Sequence, residues 1–150
     1  MRINIKKLND NAVIPTRGSD EAAGYDLYAC LLSSASLDGY IIIDPHKTVK
    51  ISTGLSIEIP KGYFGGIFAR SGLATKDGLR PANCTGVIDS DYRGEIIVAL
   101  HNDTNSPQVI NHGNRIAQLI IMPYLKVEFN EVEELADTQR GDEGFGSTGE

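Results

Sequence analysis

Asp89-Ser90-Asp91-Tyr92-Arg93 gathers two carboxylates, an aromatic ring and a guanidinium into one short stretch, with Gly94 directly after it. Asn83-Cys84-Thr85-Gly86-Val87-Ile88 leads in and Ile96 to Leu100 follows, so the cluster reads as a turn between two apolar strands. A carboxylate at a strand end can orient and deprotonate a water, and an aromatic beside it can pack against a sugar or base. The same residues also make an ordinary turn, with Asp89 and Asp91 as Asx-turn formers, Gly94 at positive φ and Tyr92 filling a gap. Ala69-Arg70-Ser71-Gly72 places a guanidinium and a hydroxyl at the start of a short helix, where phosphate oxygens are stabilised. It lacks the spacing and lysine of a P-loop, and a surface ion pair is the plain alternative for Arg70. Asp26 stands in the otherwise apolar Ala22-Ala23-Gly24-Tyr25-Asp26-Leu27, where a buried aspartate needs a partner or a hydrated metal. Gln118, with Arg115 nearby, interrupts the apolar run around Ile116 and Ala117 as either a bonded core amide or a ligand contact.

The chain closes on Arg140-Gly141-Asp142-Glu143-Gly144-Phe145-Gly146-Ser147-Thr148-Gly149. Four glycines cannot build core, since glycine loses the most backbone entropy on ordering. Glycine does let backbone N–H groups converge on an anion, and Arg140, Ser147 and Thr148 add donors suited to phosphate. Phe145 offers a flat face for stacking on a base. A solvated Gly/Ser tail competes with a mobile arm that orders over a nucleotide.

Strands must position these groups. Ile3 and Ile5, Val49 and Ile51, Leu55 to Ile59, and Val127 and Phe129 alternate with polar residues. Tyr40 to Ile43 and Tyr63 to Ala69 read as strands too, with Gly65-Gly66 marking a close backbone approach or a bulge. Ile96 to Leu100 and Ile116 to Met122 are continuous apolar runs, expected to be buried on both faces. Ser71 to Lys76 is the one good helix candidate, with Ser71 as its N-cap. Many short strands punctuated by Gly, Pro, Asn and Asp indicate an all-β sandwich, barrel or jelly roll.

The chain's 150 residues suit one domain with a real core. A net charge of −6 disfavours broad nucleic-acid binding and obliges an anionic substrate to meet locally arranged positive groups, with a metal ion. No apolar run spans a membrane, and the N-terminal residues lack a signal-peptide pattern. Cys30 and Cys84 lack metal or redox spacing and are expected to be reduced and structural, consistent with an intracellular, cytoplasmic or nuclear location.

The five clusters AGYDL, ARSGLA, GVIDSDYRGEI, NRIAQLI and RGDEGFGSTG run in that order from Ala23 to Gly149. In sequence and in order they closely resemble the five motifs of the homotrimeric dUTP pyrophosphatases (dUTPases). The resemblance implies an all-β, distorted jelly-roll or β-barrel domain over residues 1–136, one short helix, and a flexible arm over 137–150 that closes the active site. It implies a homotrimer with shared sites that hydrolyses dUTP to dUMP and pyrophosphate with Mg²⁺, limiting uracil in DNA and supplying dUMP. No nucleic-acid or membrane partner is implied. By motif, Asp26 would reach a triphosphate-bound Mg²⁺ through water, while Arg70, Ser71 and Gly72 hold phosphate. Asn83 and the backbone of Gly86, Val87 and Ile88 would form a uracil-reading hairpin. Asp89 would position the attacking water, Tyr92 would lie beneath the deoxyribose, and Gln118 would make phosphate and structural contacts. Arg140, Ser147 and Thr148 would bind the γ-phosphate, with Phe145 stacked over the uracil and Gly146 as a further substrate contact. The motif usually has glycine where this chain has Glu143, which adds negative charge near a polyanion. A dCTP deaminase of the same fold and a catalytically silent nucleotide-sensing protein are the competing functions. The intact Asp89–Tyr92 segment and the Phe-containing arm disfavour the deaminase.

Overall fold

The computed structural model describes residues 1–32, 38–142 and 144. The chain first forms β1 (Asn4–Lys7), β2 (Thr16–Arg17), β3 (Tyr25–Tyr28), β4 (Tyr40–Ile43), β5 (Thr48–Ser52), β6 (Leu55–Glu58) and β7 (Tyr63–Phe68). After α1 (Ser71–Lys76) come β8 (Leu79–Pro81), β9 (Gly86–Ile88), β10 (Ile97–Asn102), β11 (Gln108–Asn111) and β12 (Arg115–Pro123). All the strand pairings are antiparallel. They build sheets β1-β6, β5-β10-β8, β11-β4 and β2-β3-β12-β7-β9. Successive strands mostly enter different sheets, which gives the expected jelly-roll architecture.

Alternation explains the core. Leu27, Ile43, Ile51, Leu100 and Ile116 come from three different sheets and are fully buried in one cluster. Each such burial contributes about 1.5–3 kcal/mol. The run at Ile96 to Leu100 is not buried on both faces: Val98 and Leu100 point inward, while Ile97 is 46% exposed. Gly65 and Gly66 do mark a close approach. A Cβ on Gly65 would meet Ile59 Cδ1 and Leu119 Cδ1 at 2.9 Å, and one on Gly66 would meet Met122 Cε at 2.5 Å.

Three further expectations about the elements and cysteines need correction. Val127 and Phe129 form no strand; residues 124–142 carry no helix or strand, and both side chains are exposed. A strand needs an edge to bond to, and among the described residues this segment pairs with none. Ser71 is the first helical residue rather than the N-cap, which is Arg70, with no capping side-chain bond. Cys30 is buried as expected, and burial followed by the nearby Glu95 charge pushes its thiol pKa up; Cys84 is exposed and adopts a φ of 60°. Both cysteines are free. No helix among the described residues is long and apolar enough to cross a membrane.

Candidate active site

Sheet register assembles the first half of the site. Gln118 on β12 lies opposite Asp26 of β3 on one side and Phe68 of β7 on the other, and Arg70 follows Phe68 by two residues. Asp26 thereby finds its partners. Arg70 Nε donates to its Oδ1 at 2.8 Å, and Arg115 Nη1 donates to Oδ2 at 3.2 Å. A bulge between Arg115 and Ala117 shifts the register there. The Asp26 side chain is 14% exposed and that of Arg70 26%, so this ion pair is sheltered; Arg115 is 50% exposed. Gln118 proves to be a bonded amide, its Nε2 donating to Ala69 O at 2.9 Å and so pinning the residue before Arg70. Gly24 makes room for it, since a Cβ there would lie 2.5 Å from Gln118 Oε1.

These groups line a cleft of about 360 Å³ with Asp26, Arg70, Ser71, Gly72, Arg115 and Gln118 in its wall. Ser71 and Gly72 are exposed at the start of α1, whose first-turn N–H groups have no capping side chain. The cleft is therefore rich in donors and cations within a chain of net negative charge.

The second half is built differently. β8 pairs with β10, and β9 with β7. The expected hairpin is thus a bend between sheets, and the turn after Ile88 is a second crossing, because β10 belongs to the β8 sheet. β9 ends its sheet, which leaves one edge of the Gly86–Ile88 backbone without a strand partner among the described residues. Beside it lies a cleft of about 110 Å³ lined by Ile67, Pro81, Asn83, Gly86, Val87 and Ile97, among others. An adjoining cleft of about 180 Å³ is lined by Val87, Ile88, Asp89, Tyr92, Glu95 and Ile97.

Asp89 is exposed at the end of β9. Tyr92 is 44% exposed and donates from its hydroxyl to Glu95 O at 2.9 Å. Gly94 does not serve by positive φ. It gives space to the ring, because a Cβ there would lie 2.4 Å from Tyr92 Oη. Arg93 is occupied locally, with Nη1 donating to Ser90 O and Tyr92 O at 2.8 and 2.9 Å.

One chain brings together Asp26, Arg70, Ser71, Gly72 and Gln118, and separately Asn83, Gly86, Val87, Ile88, Asp89 and Tyr92. No cleft described above contains residues of both groups. Arg140 is exposed in a turn closed by Gly141 N donating to Thr138 O, and lines none of these clefts. Glu143, Phe145, Gly146, Ser147 and Thr148 lie outside the described residues. Gly24 and Glu95 are structural members that motif reading left without a role. For Glu95 the only sequence signal is a carboxylate placed just before a fully buried isoleucine.

A family model described as dUTPase matches residues 10–149. Deoxyuridine 5'-triphosphate nucleotidohydrolases of Hydrogenobaculum sp. (strain Y04AAS1) and Nautilia profundicola are 46% and 49% identical to this chain, each over 99% of both sequences. The solved structure of Staphylococcus bacteriophage 80alpha dUTPase with dUPNHPP superposes with a TM-score of 0.86 at 30% identity, covering 99% of this chain and 98% of that one. A mutant dUTPase from phage phi11 of S. aureus, described for its coordination of a structural Mg(II) ion, gives a TM-score of 0.77 at 26% identity over 89% and 98% of the two chains.

Proposed function

The chain belongs to the dUTPase family, and from that premise we propose that it hydrolyses dUTP at sites that no single copy completes. The observation that carries this reading is the separation, on one chain, of the cationic cleft from the clefts along β9. A triphosphate needs the first and a nucleoside the second, so a second copy must bring its β9 edge to the Arg70 cleft. The exposed apolar side chains favour such an assembly. Ile97 faces out of the body, and Leu125, Val127 and Phe129 alternate along a segment without helix or strand and are 87%, 60% and 93% exposed. A homotrimer, with residues 137–150 of a further copy as the lid over a domain of residues 1–136, fits these features.

In the assembled site Arg70, Ser71, Gly72 and Gln118 hold the phosphates. The free backbone edge of Gly86, Val87 and Ile88, with Asn83, reads the donors and acceptors of uracil. Unmet hydrogen bonds at such an edge discriminate more strongly than a missing methyl, which is worth about 1–3 kcal/mol. Tyr92 lies beneath the deoxyribose and leaves no space for a 2′-hydroxyl. Asp89 orients a water and takes its proton as the oxygen attacks the α-phosphorus, the bond to the bridging oxygen breaks, and dUMP and pyrophosphate leave. Arg140, Phe145, Gly146, Ser147 and Thr148 close over the base and the γ-phosphate and exclude other water.

The donor set fits a magnesium ion carried by the triphosphate rather than held by the protein. Each Asp26 oxygen already accepts one guanidinium N–H and keeps a lone pair for a water. Direct ligation would set a dication against two arginines, and the described residues contain no group of three His, Cys, Asp or Glu able to hold an ion. When bound, Mg²⁺ neutralises charge on the phosphate oxygens.

Pyrophosphate release from dUTP, dCTP, dTTP and UTP, with and without Mg²⁺, tests the activity and its specificity. Co-refolding two inactive variants, Asp89→Asn and Arg70→Ala, tests the shared site. Recovered activity in the mixture is expected, and a mixture as inactive as its parents overturns it.

A further inference from the structure

The crossing from Asp89 to Ile96 has no ladder to hold it, yet it is bonded to the β5–β6 turn by every residue from Ser52 to Ser56. Ser52 Oγ donates to Glu95 Oε1, and Gly54 N donates to the same oxygen at 2.7 Å. Thr53 Oγ1 donates to Ile96 O at 2.6 Å and Ser56 Oγ to Arg93 O at 2.7 Å. Leu55 O accepts from Ile96 N at 2.8 Å. Thr53 is fully buried and Ser56 is 8% exposed, and such hydroxyls are costly to bury without a partner. The turn is itself anchored from behind. Leu8 N donates to Gly54 O at 2.7 Å and Cys30 N to Ser52 O at 2.8 Å. Gly54 has a φ of +68°, and a Cβ there would lie 2.8 Å from Ala12 Cβ.

Glu95 links this anchor to the site. Its carboxylate is held by the turn, while its carbonyl accepts the Tyr92 hydroxyl, and the Tyr92 ring lies against Gly94. The hydroxyl end of the ring is therefore held by a hydrogen bond and by its contact with Gly94. We propose that Glu95, braced by the Ser52–Ser56 turn, is a positioning residue that sets the height of the Tyr92 ring and thereby the discrimination against a 2′-hydroxyl. The proposal rests on the reading of Tyr92 as the sugar contact. Exclusion of one oxygen by an aromatic face is a matter of distance, so a ring free to drop away admits the ribonucleotide without losing the deoxyribonucleotide.

The test is kcat/KM for dUTP divided by kcat/KM for UTP, in variants whose circular dichroism and assembly match the parent. Glu95→Ala should lower this ratio about tenfold, which corresponds to ~1.4 kcal/mol of lost discrimination. Glu95→Gln keeps an Oε1 acceptor and should stay within about twofold of the parent. Thr53→Val and Ser56→Ala should lower the ratio about two- to fivefold each, and they carry the test if Glu95→Ala does not fold. An unchanged ratio in Glu95→Ala and Thr53→Val, whatever happens to kcat, overturns the proposal. So does a Gln variant as damaged as the Ala variant, because that would make charge, rather than the hydrogen bonds, the operative property. Tyr92→Ala separates the two levels. If it leaves the ratio intact, the sugar contact itself is wrong and the proposal falls with it. If Tyr92→Ala alters the ratio and Glu95→Ala does not, only the clamp is wrong.

Discussion

Asp26→Asn isolates the electrostatics of the phosphate cleft. Asparagine keeps the shape of the side chain and one carbonyl oxygen, so Arg70 Nε retains an acceptor while amide hydrogens turn toward Arg115. A hydrogen bond to a charged group contributes about 1.5–3 kcal/mol. The Asp26 and Arg70 side chains are only 14% and 26% exposed, so loss of charge at this contact costs about half of that, ~0.8–1.5 kcal/mol. Arg115 is 50% exposed, where solvent and salt leave an ion pair about 0.2–1 kcal/mol. Together the substitution should destabilise the chain by about 2 kcal/mol, lowering Tm by about 4–8 °C at fixed chain concentration. Arg115→Gln should cost no more than about 1 kcal/mol, and that loss should shrink in high salt while most of the Asp26 effect persists. Thermal melts without nucleotide or metal read the ion pairs alone. An unchanged Tm in Asp26→Asn, or an Arg115→Gln variant equally destabilised, would refute the exposure argument.

Asp89→Asn should abolish nearly all hydrolysis while dUTP binding, read by calorimetry, is kept; an active variant would remove Asp89 from its role. Deleting residues 137–150 should leave assembly and Tm intact, because their described part is exposed, yet remove almost all pyrophosphate release. Chelation of Mg²⁺ should stop turnover without lowering the Tm of the nucleotide-free protein, and a lowered Tm would reveal an ion held by the protein itself. Glu143→Gly should speed arm closure, seen as a higher kcat or a lower KM. If both stay unchanged, the Glu143 side chain has no part in closure.

Strand identity was legible in the sequence wherever an alternating stretch found its partner within the chain. Val127 and Phe129 alternate just as Leu55 and Ile57 do, but only the latter pair has an edge to bond to, in β1. Alternation states which face a residue would present and says nothing about whether an edge exists. Cys84 shows the converse: composition suggested a structural thiol, and a left-handed turn placed it in solvent.

The sequence by itself determined the all-β class, the position of the short helix and the ordered set of chemical groups, because periodicity and motif order are local properties of a chain. Tertiary structure alone decided what those groups meet. Asp26 was open between a partner and a metal until strand register set it beside two arginines. Gln118 meets its partner, Ala69 O, only because β7 lies beside β12. The Asp89–Tyr92 segment reads in sequence as a turn between two strands, and only sheet topology makes it a crossing braced by the β5–β6 turn. Pairing across 40 residues or more is set by which edges the folded core leaves free, and no local pattern carries that information.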